Sequence, residues 1–339
     1  MKLGLLLTNQ YLAGESMERK IQDNLEQVRA AREGGFGMIC AGQHYLSAPF
    51  TMPTSIPFLA RMAAEADDME VASSIVLVPL HNPVEMAEMV ATMDAICSGR
   101  FIFGIGLGYR EEEYAAFGVR REERVPRMAE ALEVMKLLWT GEEVEFHGRF
   151  YQVPRVTSTV RCVQQPHPPI WVAANNDGAI RRAGRLGYPW LVNPHATVAT
   201  IRAQMDMYRG VLEESGVAGL PALPMMREMY VAEDREVAMY ESRPHLEGKY
   251  QAYADWGQDK ALPGEESFEM PFEDLARDRF LIGTPDDIVS EIRRYEEELG
   301  VTHMIFRLQW PGLEQDKVMK QLELMARYVI PRLAGEGGA

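Results

Sequence analysis

The chain has 339 residues, of which 47% are hydrophobic, and a formal net charge of −15. That apolar content suffices for a large buried core, and α/β barrels of this length fold as one unit. The acidity argues against nucleic acid and anionic membrane as partners, while Cys40, Cys97 and Cys162, odd in number and without a CxxC pair, argue against a disulfide framework or a zinc site and fit a reducing cytoplasm.

The N-terminal MKLGLLLTNQ holds too short an apolar run for a signal peptide. No stretch reaches the roughly 18 apolar residues of a membrane span. Leu3–Leu7 reads as a first strand, and Ile21, Leu25 and Val28 mark one face of a helix that Gly34–Gly35 stops. Strands follow at Phe36–Ala41, at the β-branched Val71–Val78 and at Phe101–Ile105, with a helix over Val84–Cys97 before the last of these. Val125, Met128, Leu132, Met135 and Trp139 recur at helical steps until Thr140–Gly141. A hairpin is expected over Glu143–Tyr151, then a crossing through Pro166, Pro168 and Pro169.

The alternation resumes with a strand at Ile170–Ala174, a helix over Gly178–Leu186, a short strand at Trp190–Val192 and a helix over Val198–Glu214. Strand seven is placed near Met225–Val231. Thr284-Pro285 opens a helix, since Thr caps well and Pro suits the first turn. Thr302–Leu308 is strand eight, and Val318, Leu322, Met325 and Val329 share one face of the last helix. Such alternation gives a closed parallel barrel or a doubly wound sheet, and the count of eight favours a single (β/α)8 TIM barrel. One domain is expected over 1–334, with insertions near 142–168 and 245–283 and a disordered tail at 335–339.

On such a barrel the functional groups follow the strands. His44, in the run AGQHY after strand two, is placed to act as a general base or hydrogen-bond donor; otherwise it is a surface-loop histidine. His81 precedes Asn82-Pro83 and serves equally well as part of a helix cap. His147 and His167 look structural, and no metal-ligand spacing is present, so no metal is expected. Gly104-Ile105-Gly106-Leu107-Gly108 departs from the dinucleotide fingerprint; its glycines keep side chains small where a ring or a backbone comes close, or serve a tight strand-to-loop turn, or both. Asn175-Asn176-Asp177-Gly178 ends strand five where a helix begins. Free N–H groups there would hold a phosphate, with Arg181 and Arg182 one turn on, unless the run is only an ordinary cap. Arg307 and Trp310, after strand eight, suit an anionic or planar group or, more plainly, a salt bridge and packing.

Three stretches, GRFIFGIG (99–106) continuing to EYAAFG (113–118), PIWVAA (169–174) through Arg182-Ala183-Gly184, and GTPDD (283–287), occur in an order and spacing that resemble the bacterial luciferase-like monooxygenases over nearly the whole chain. That resemblance implies a (β/α)8 barrel binding reduced FMN or, in another branch, the deazaflavin coenzyme F420 across its mouth. It places His44 at an active-site histidine, Ser73-Ser74 at a non-proline cis peptide beneath the ring system, and Asn175 and Asn176, with Gly178 and Ala179, at backbone donors to the phosphate. Gly106, Leu107 and Gly108 fall beside the cofactor. Leu107 stands where the best-known luciferases carry an Arg, which removes one phosphate ligand and opens the way to a different cofactor tail.

The resemblance further implies that reduced FMN and O2 oxidise a small organic substrate, with His44 supplying a proton near the reacting oxygen. Tyr45, Phe50, Tyr109 and Trp310 suggest an apolar mouth for a hydrophobic substrate, with Arg307 beside it. No nicotinamide-binding signature is present, so a separate flavin reductase is the expected partner; a homodimer is compatible. Segment 245–283, with Trp256 and Phe268, is expected to act as a lid or as a packing or oligomer element. The alternatives are a deazaflavin-dependent hydride transfer and a non-catalytic flavin-binding relative.

Overall fold

The computed structural model describes residues 1–219, 222–262 and 267–334; the tail at 335–339 lies outside them. From the N-terminus the elements are β1 (Lys2–Leu6), β2 (Tyr11–Leu12), α1 (Met17–Glu33), β3 (Met38–Ala41), β4 (Phe50–Thr51), α2 (Ser55–Ala66), β5 (Glu70–Ser73), β6 (Val76–Leu77), α3 (Pro83–Ile96), β7 (Phe101–Gly106), α4 (Glu111–Ala116) and α5 (Arg124–Thr140). The hairpin β8 (Glu143–His147) and β9 (Gln152–Thr157) is followed by β10 (Ile170–Ala173), α6 (Asp177–Arg185), β11 (Trp190–Leu191) and α7 (Val198–Glu214). The last third holds β12 (Pro224–Val231), α8 (Arg235–Asp255), α9 (Phe272–Ala276), β13 (Leu281–Gly283), α10 (Pro285–Leu299), β14 (His303–Arg307), α11 (Gln315–Leu324) and α12 (Ile330–Ala334).

The fold is α/β with one large parallel sheet, in the order β11, β10, β7, β5, β3, β1, β14, β12, and with β13 beside the second half of β12. Lys2 to Leu5 pair with His303 to Phe306 on one side of β1, and Gly4 to Leu6 pair with Met38 to Cys40 on the other. Beyond β11, the Val192 N–H donates to the Pro224 carbonyl at 2.9 Å and the Met226 N–H to the Val192 carbonyl at 3.0 Å. This bridge links the residue after β11 to β12.

Alternation along the strands sorts side chains into two cores. Leu3, Leu5, Ile39, Val71, Phe101, Phe103, Ile105, Ile170, Val172, Met225, Met304 and Phe306 pack outward against the helices. Leu6, Met38, Cys40, Ala72, Ile102, Trp171, Met226 and Ile305 pack on the other face, as a separate inner cluster. The same period carries Glu228 and Arg307, two residues beyond Met226 and Ile305, onto the inner face at the C-terminal strand ends.

Local signals account for most helix ends. Thr284 and Asp287 form a reciprocal capping box on α10, and Gly300 ends it in the left-handed region. Two expectations change. The run Val71–Val78 is not one strand: it breaks after Ser73 at a cis Ser74–Ile75 peptide, and resumes as β6. Helix α2, absent from the periodic reading, buries Ile56, Phe58, Leu59 and Met62. Segment 245–283 begins inside α8, whose Leu246, Tyr250 and Tyr253 join the core, and ends in β13, so it is built into the fold at both ends.

Candidate active site

The C-terminal ends of the strands surround one cavity of about 440 Å³, with Leu6 and Met226 of the inner core at its wall. Residues following β1, β3, β5, β7, β10 and β11 reach it, as does Arg307 at the end of β14.

His44 lines this cavity and is tied from behind. Its Nδ1 lies 3.2 Å from Oε1 of Glu113, a fully buried carboxylate on α4. The same oxygen accepts the Tyr45 N–H at 2.8 Å. Arg110 stands 3.9 Å from it, donates to the Tyr45 and Leu46 carbonyls at 2.8 and 3.2 Å, and lies 4.5 Å over the Trp256 ring. Because a carboxylate accepts, Nδ1 is the donor, and Nε2 of the neutral ring is left as the basic nitrogen. Tyr109, Tyr253 and Trp256 surround the imidazole at 5.7, 6.5 and 5.3 Å between ring centroids, giving it an apolar setting.

A second wall comes from the break after β5. Ser74 and Ile75 line the cavity and are joined by the cis peptide, one bond later than the family pattern placed it. Ser73 turns away, and its hydroxyl donates to the Gly104 carbonyl at 2.9 Å. A Cβ on Gly104 would collide with the Ser73 carbonyl oxygen, and one on Gly106 with the Ile75 side chain. Gly106 itself does not reach the cavity; it admits Ile75, which does. Leu107 and Gly108 line the site, and the Leu107 carbonyl accepts the Tyr114 hydroxyl, tying the loop to α4.

At the far end, Asn175, Asn176 and Ala179 line the cavity; Gly178 does not. Asn176 caps α6, its side chain accepting the Ala179 N–H at 3.0 Å. No protein acceptor among the described residues takes the N–H groups of Asp177 and Gly178, the first two of the helix. Arg181 and Arg182 are not at the cavity wall. Arg121 and Arg124, from the approach to α5, are. Burial, then Arg185 and Arg124, pull the Arg182 guanidinium down from its ordinary value. A helix N-terminus beside two arginines concentrates N–H donors and positive charge, the features that suit an anion.

Two expected substrate contacts lie elsewhere. The Tyr45 hydroxyl bonds to His81 Nε2 at 3.1 Å, and its ring packs 4.6 Å from Phe117. Burial lowers the His81 pKa and keeps that ring neutral. Trp310 is 1% exposed and donates through Nε1 to Glu228 at 2.6 Å. Arg307 and Tyr109 do line the cavity. The sequence reading missed Gln10, Glu113, Arg121, Arg124, Asn193, Lys249 and Tyr253. Only the EEE run at 111–113 carried a local signal, and it reads as a solvated helix start because nothing local marks the third glutamate as buried. No three His, Cys, Asp or Glu gather in a metal-binding group among the described residues. No helix among them is long and apolar enough to cross a membrane.

Comparison with known proteins agrees with this architecture. The chain is 25% identical over 346 residues to the oxygenase component of the flavin-dependent trigonelline monooxygenase of Acinetobacter baylyi, covering 98% of this chain and 95% of that one. It is 28% identical over 298 residues to the F420-dependent glucose-6-phosphate dehydrogenase of Nocardia farcinica, covering 83% and 84%. In fold it matches a monooxygenase of Streptomyces bottropensis with a TM-score of 0.86 at 24% identity, over 98% of this chain and 100% of the other. It also matches the oxygenating constituent of 3,6-diketocamphane monooxygenase of Pseudomonas putida, solved with FMN, with a TM-score of 0.81 at 18% identity and 98% of each chain. Residues 1–303 match the family described as luciferase-like monooxygenase, and the chain belongs to that family.

Proposed function

We propose that the protein is a flavin-dependent monooxygenase that uses reduced FMN and O2 to oxidise a small organic substrate. The observation that carries this reading is His44, anchored by buried Glu113, in the same cavity as a helix N-terminus flanked by Arg121 and Arg124. The residues present fit FMN. Asn175, Asn176 and Ala179 bring the start of α6 to the cavity for its phosphate, Arg121 and Arg124 offer charge, and the Ser74–Ile75 wall offers a surface for its ring. When bound, reduced FMN supplies the electrons that activate oxygen.

The chain's own part is positioning and proton handling. His44 holds or accepts a proton at Nε2 while Glu113 keeps the ring oriented. Tyr109, Tyr253 and Trp256 exclude water around it. A separate reductase delivers the reduced flavin, in keeping with a relative named as an oxygenase component. The sheet closes as a (β/α)8 barrel in this reading, a closure supported by the Val192–Met225 bridge.

A second reading, hydride transfer with coenzyme F420, is favoured by two observations. Leu107 leaves the phosphate end without the luciferase arginine, and Arg121, Arg124 and Lys260 give that cavity a cationic rim suited to a longer anionic tail. Oxygen uptake with chemically reduced FMN, beside spectroscopic titration with F420, separates the two. Uptake that depends on FMN and on His44 is the expected result. Absence of uptake together with turnover of F420 overturns the monooxygenase assignment.

A further inference from the structure

Beside the His44 pocket, the cavity holds more positive than negative charge. Arg307 reaches it from β14 and Lys249 from α8, where Lys249 is 2% exposed. One carboxylate, the fully buried Glu228, faces both. Glu228 accepts from Lys249 and, at 2.6 Å, from Trp310, so both its oxygens are engaged. Arg307 forms no ion pair among the described residues. It donates to the neutral Gln10 at 3.2 Å, and its Nε has no partner. Asn193, 6% exposed and lining the same cavity, has an Nδ2 without an acceptor. Behind them, fully buried Arg227 donates only to the Tyr295 hydroxyl at 3.0 Å and the Ala196 carbonyl at 3.1 Å, and its Nη2 is unpartnered.

Buried donors without acceptors are costly, and beside surplus positive charge an anionic ligand is the group that completes those of Arg307 and Asn193. The electrostatics agree. Burial and Arg307 pull the Lys249 ammonium down to about 7 despite Glu228. Burial pushes the Glu228 carboxyl up, but Lys249 and Arg307 outweigh it and hold it charged. His195, at the same wall, is held neutral by burial and by Lys249, Arg307, Arg227 and Arg279.

The phosphate end of the same cavity has its own helix N-terminus and arginines. Tyr253 joins Arg307 and Lys249 to the chemistry: its hydroxyl bonds to Gln10 at 3.2 Å, Lys249 lies 4.9 Å over its ring, and its edge faces His44. We infer that Arg307, Lys249 and Asn193 form a subsite for a substrate carboxylate, which directs the rest of the molecule along Tyr253 towards His44. Guanidinium and amide N–H groups match a planar carboxylate, and at least one positive charge awaits it. The assignment of this ligand as substrate rests on the oxidoreductase reading above, but the binding can be measured without flavin or oxygen.

The test is calorimetric titration of the full-length apoprotein near pH 6.5 with formate, acetate, benzoate and octanoate, each compared with its neutral amide, and with phenyl phosphate. At least one carboxylate is expected to bind about tenfold or more tighter than its amide. Arg307→Gln should erase the preference, and Arg307→Lys should restore part of it. Since Lys249→Met alone strands Glu228, the paired variant Lys249→Met/Glu228→Gln is used, and it too should lose the preference with its melting temperature preserved. Four results overturn the proposal: no carboxylate binds, amides bind equally well, the preference survives Arg307→Gln, or phenyl phosphate binds in place of the carboxylates. Arg307→Gln that weakens only reduced FMN binding assigns the cations to the cofactor, which also overturns it. A protein that binds carboxylates but fails the oxygen-uptake assay sinks the monooxygenase reading and leaves the subsite standing.

Discussion

Glu113 Oε1 receives His44 Nδ1 at 3.2 Å and the neighbouring Tyr45 N–H at 2.8 Å, so one buried carboxylate fixes both the ring and the backbone that carries it. His44→Ala is expected to keep the fold and most cofactor affinity, and to lower turnover by roughly 100-fold, the scale of a positioned acid or base. Glu113→Gln keeps the shape but not the charge, and should lower turnover by about tenfold or more with little change in the substrate KM. Steady-state kinetics beside a thermal melt checks both. Unchanged turnover in His44→Ala would remove that residue from the mechanism.

Gly104 and Gly106 stand behind the Ser74–Ile75 wall. Gly104→Ala meets backbone, which cannot swing aside, and should destabilise by about 3 kcal/mol or fail to fold. Gly106→Ala meets the end of the Ile75 side chain, and should cost only about 1–2 kcal/mol. Adding Ile75→Val should recover part of that loss for Gly106→Ala and none for Gly104→Ala. Denaturant melts of the single and double variants decide it; equal recovery in both would refute the geometry.

The phosphate end predicts a preference among flavins. The apoprotein should bind FMN at least about tenfold tighter than riboflavin, because one charge-assisted contact is worth about 1.5–3 kcal/mol. Arg121→Ala/Arg124→Ala should remove most of that difference while leaving riboflavin affinity unchanged. Fluorescence titration of the two ligands reads it directly. A preference that persists in the double variant places the phosphate elsewhere.

Lys249 predicts a proton linkage. The groups facing it are Glu228, Arg307, His195, Tyr250 and Tyr253. Its ammonium titrates at about 7 in the folded protein, against its ordinary 10.5. Between those values the unfolded chain holds a proton that the folded chain lacks, so this group makes stability rise with pH there and leaves it flat below about 7. A bound carboxylate favours the charged ammonium. Binding at about pH 8 should therefore take up a proton, seen as a calorimetric enthalpy that varies with the buffer's ionisation heat, and affinity should fall by up to about tenfold per pH unit above neutrality. No buffer dependence at that pH would show that Lys249 does not share the ligand.

Sequence alone carried the α/β alternation, because strand and helix periods are local and repeat in the order that a parallel sheet requires. It also placed His44, Leu107, Gly108, Asn175, Asn176 and Ala179 at the cavity, since each follows a strand and all such ends face one way. It misplaced Tyr45 and Trp310 for a related reason: being near a strand end does not say which way a side chain turns. Tyr45 turns to His81, and Trp310 turns inward to Glu228. Glu113, Lys249 and Glu228 resemble surface charges in sequence, and nothing within a few residues distinguishes them. Only the tertiary structure, by packing α4 and α8 over the strand ends, decided that these charges are buried and which partners they meet, because burial and charge pairing depend on residues far apart in the chain.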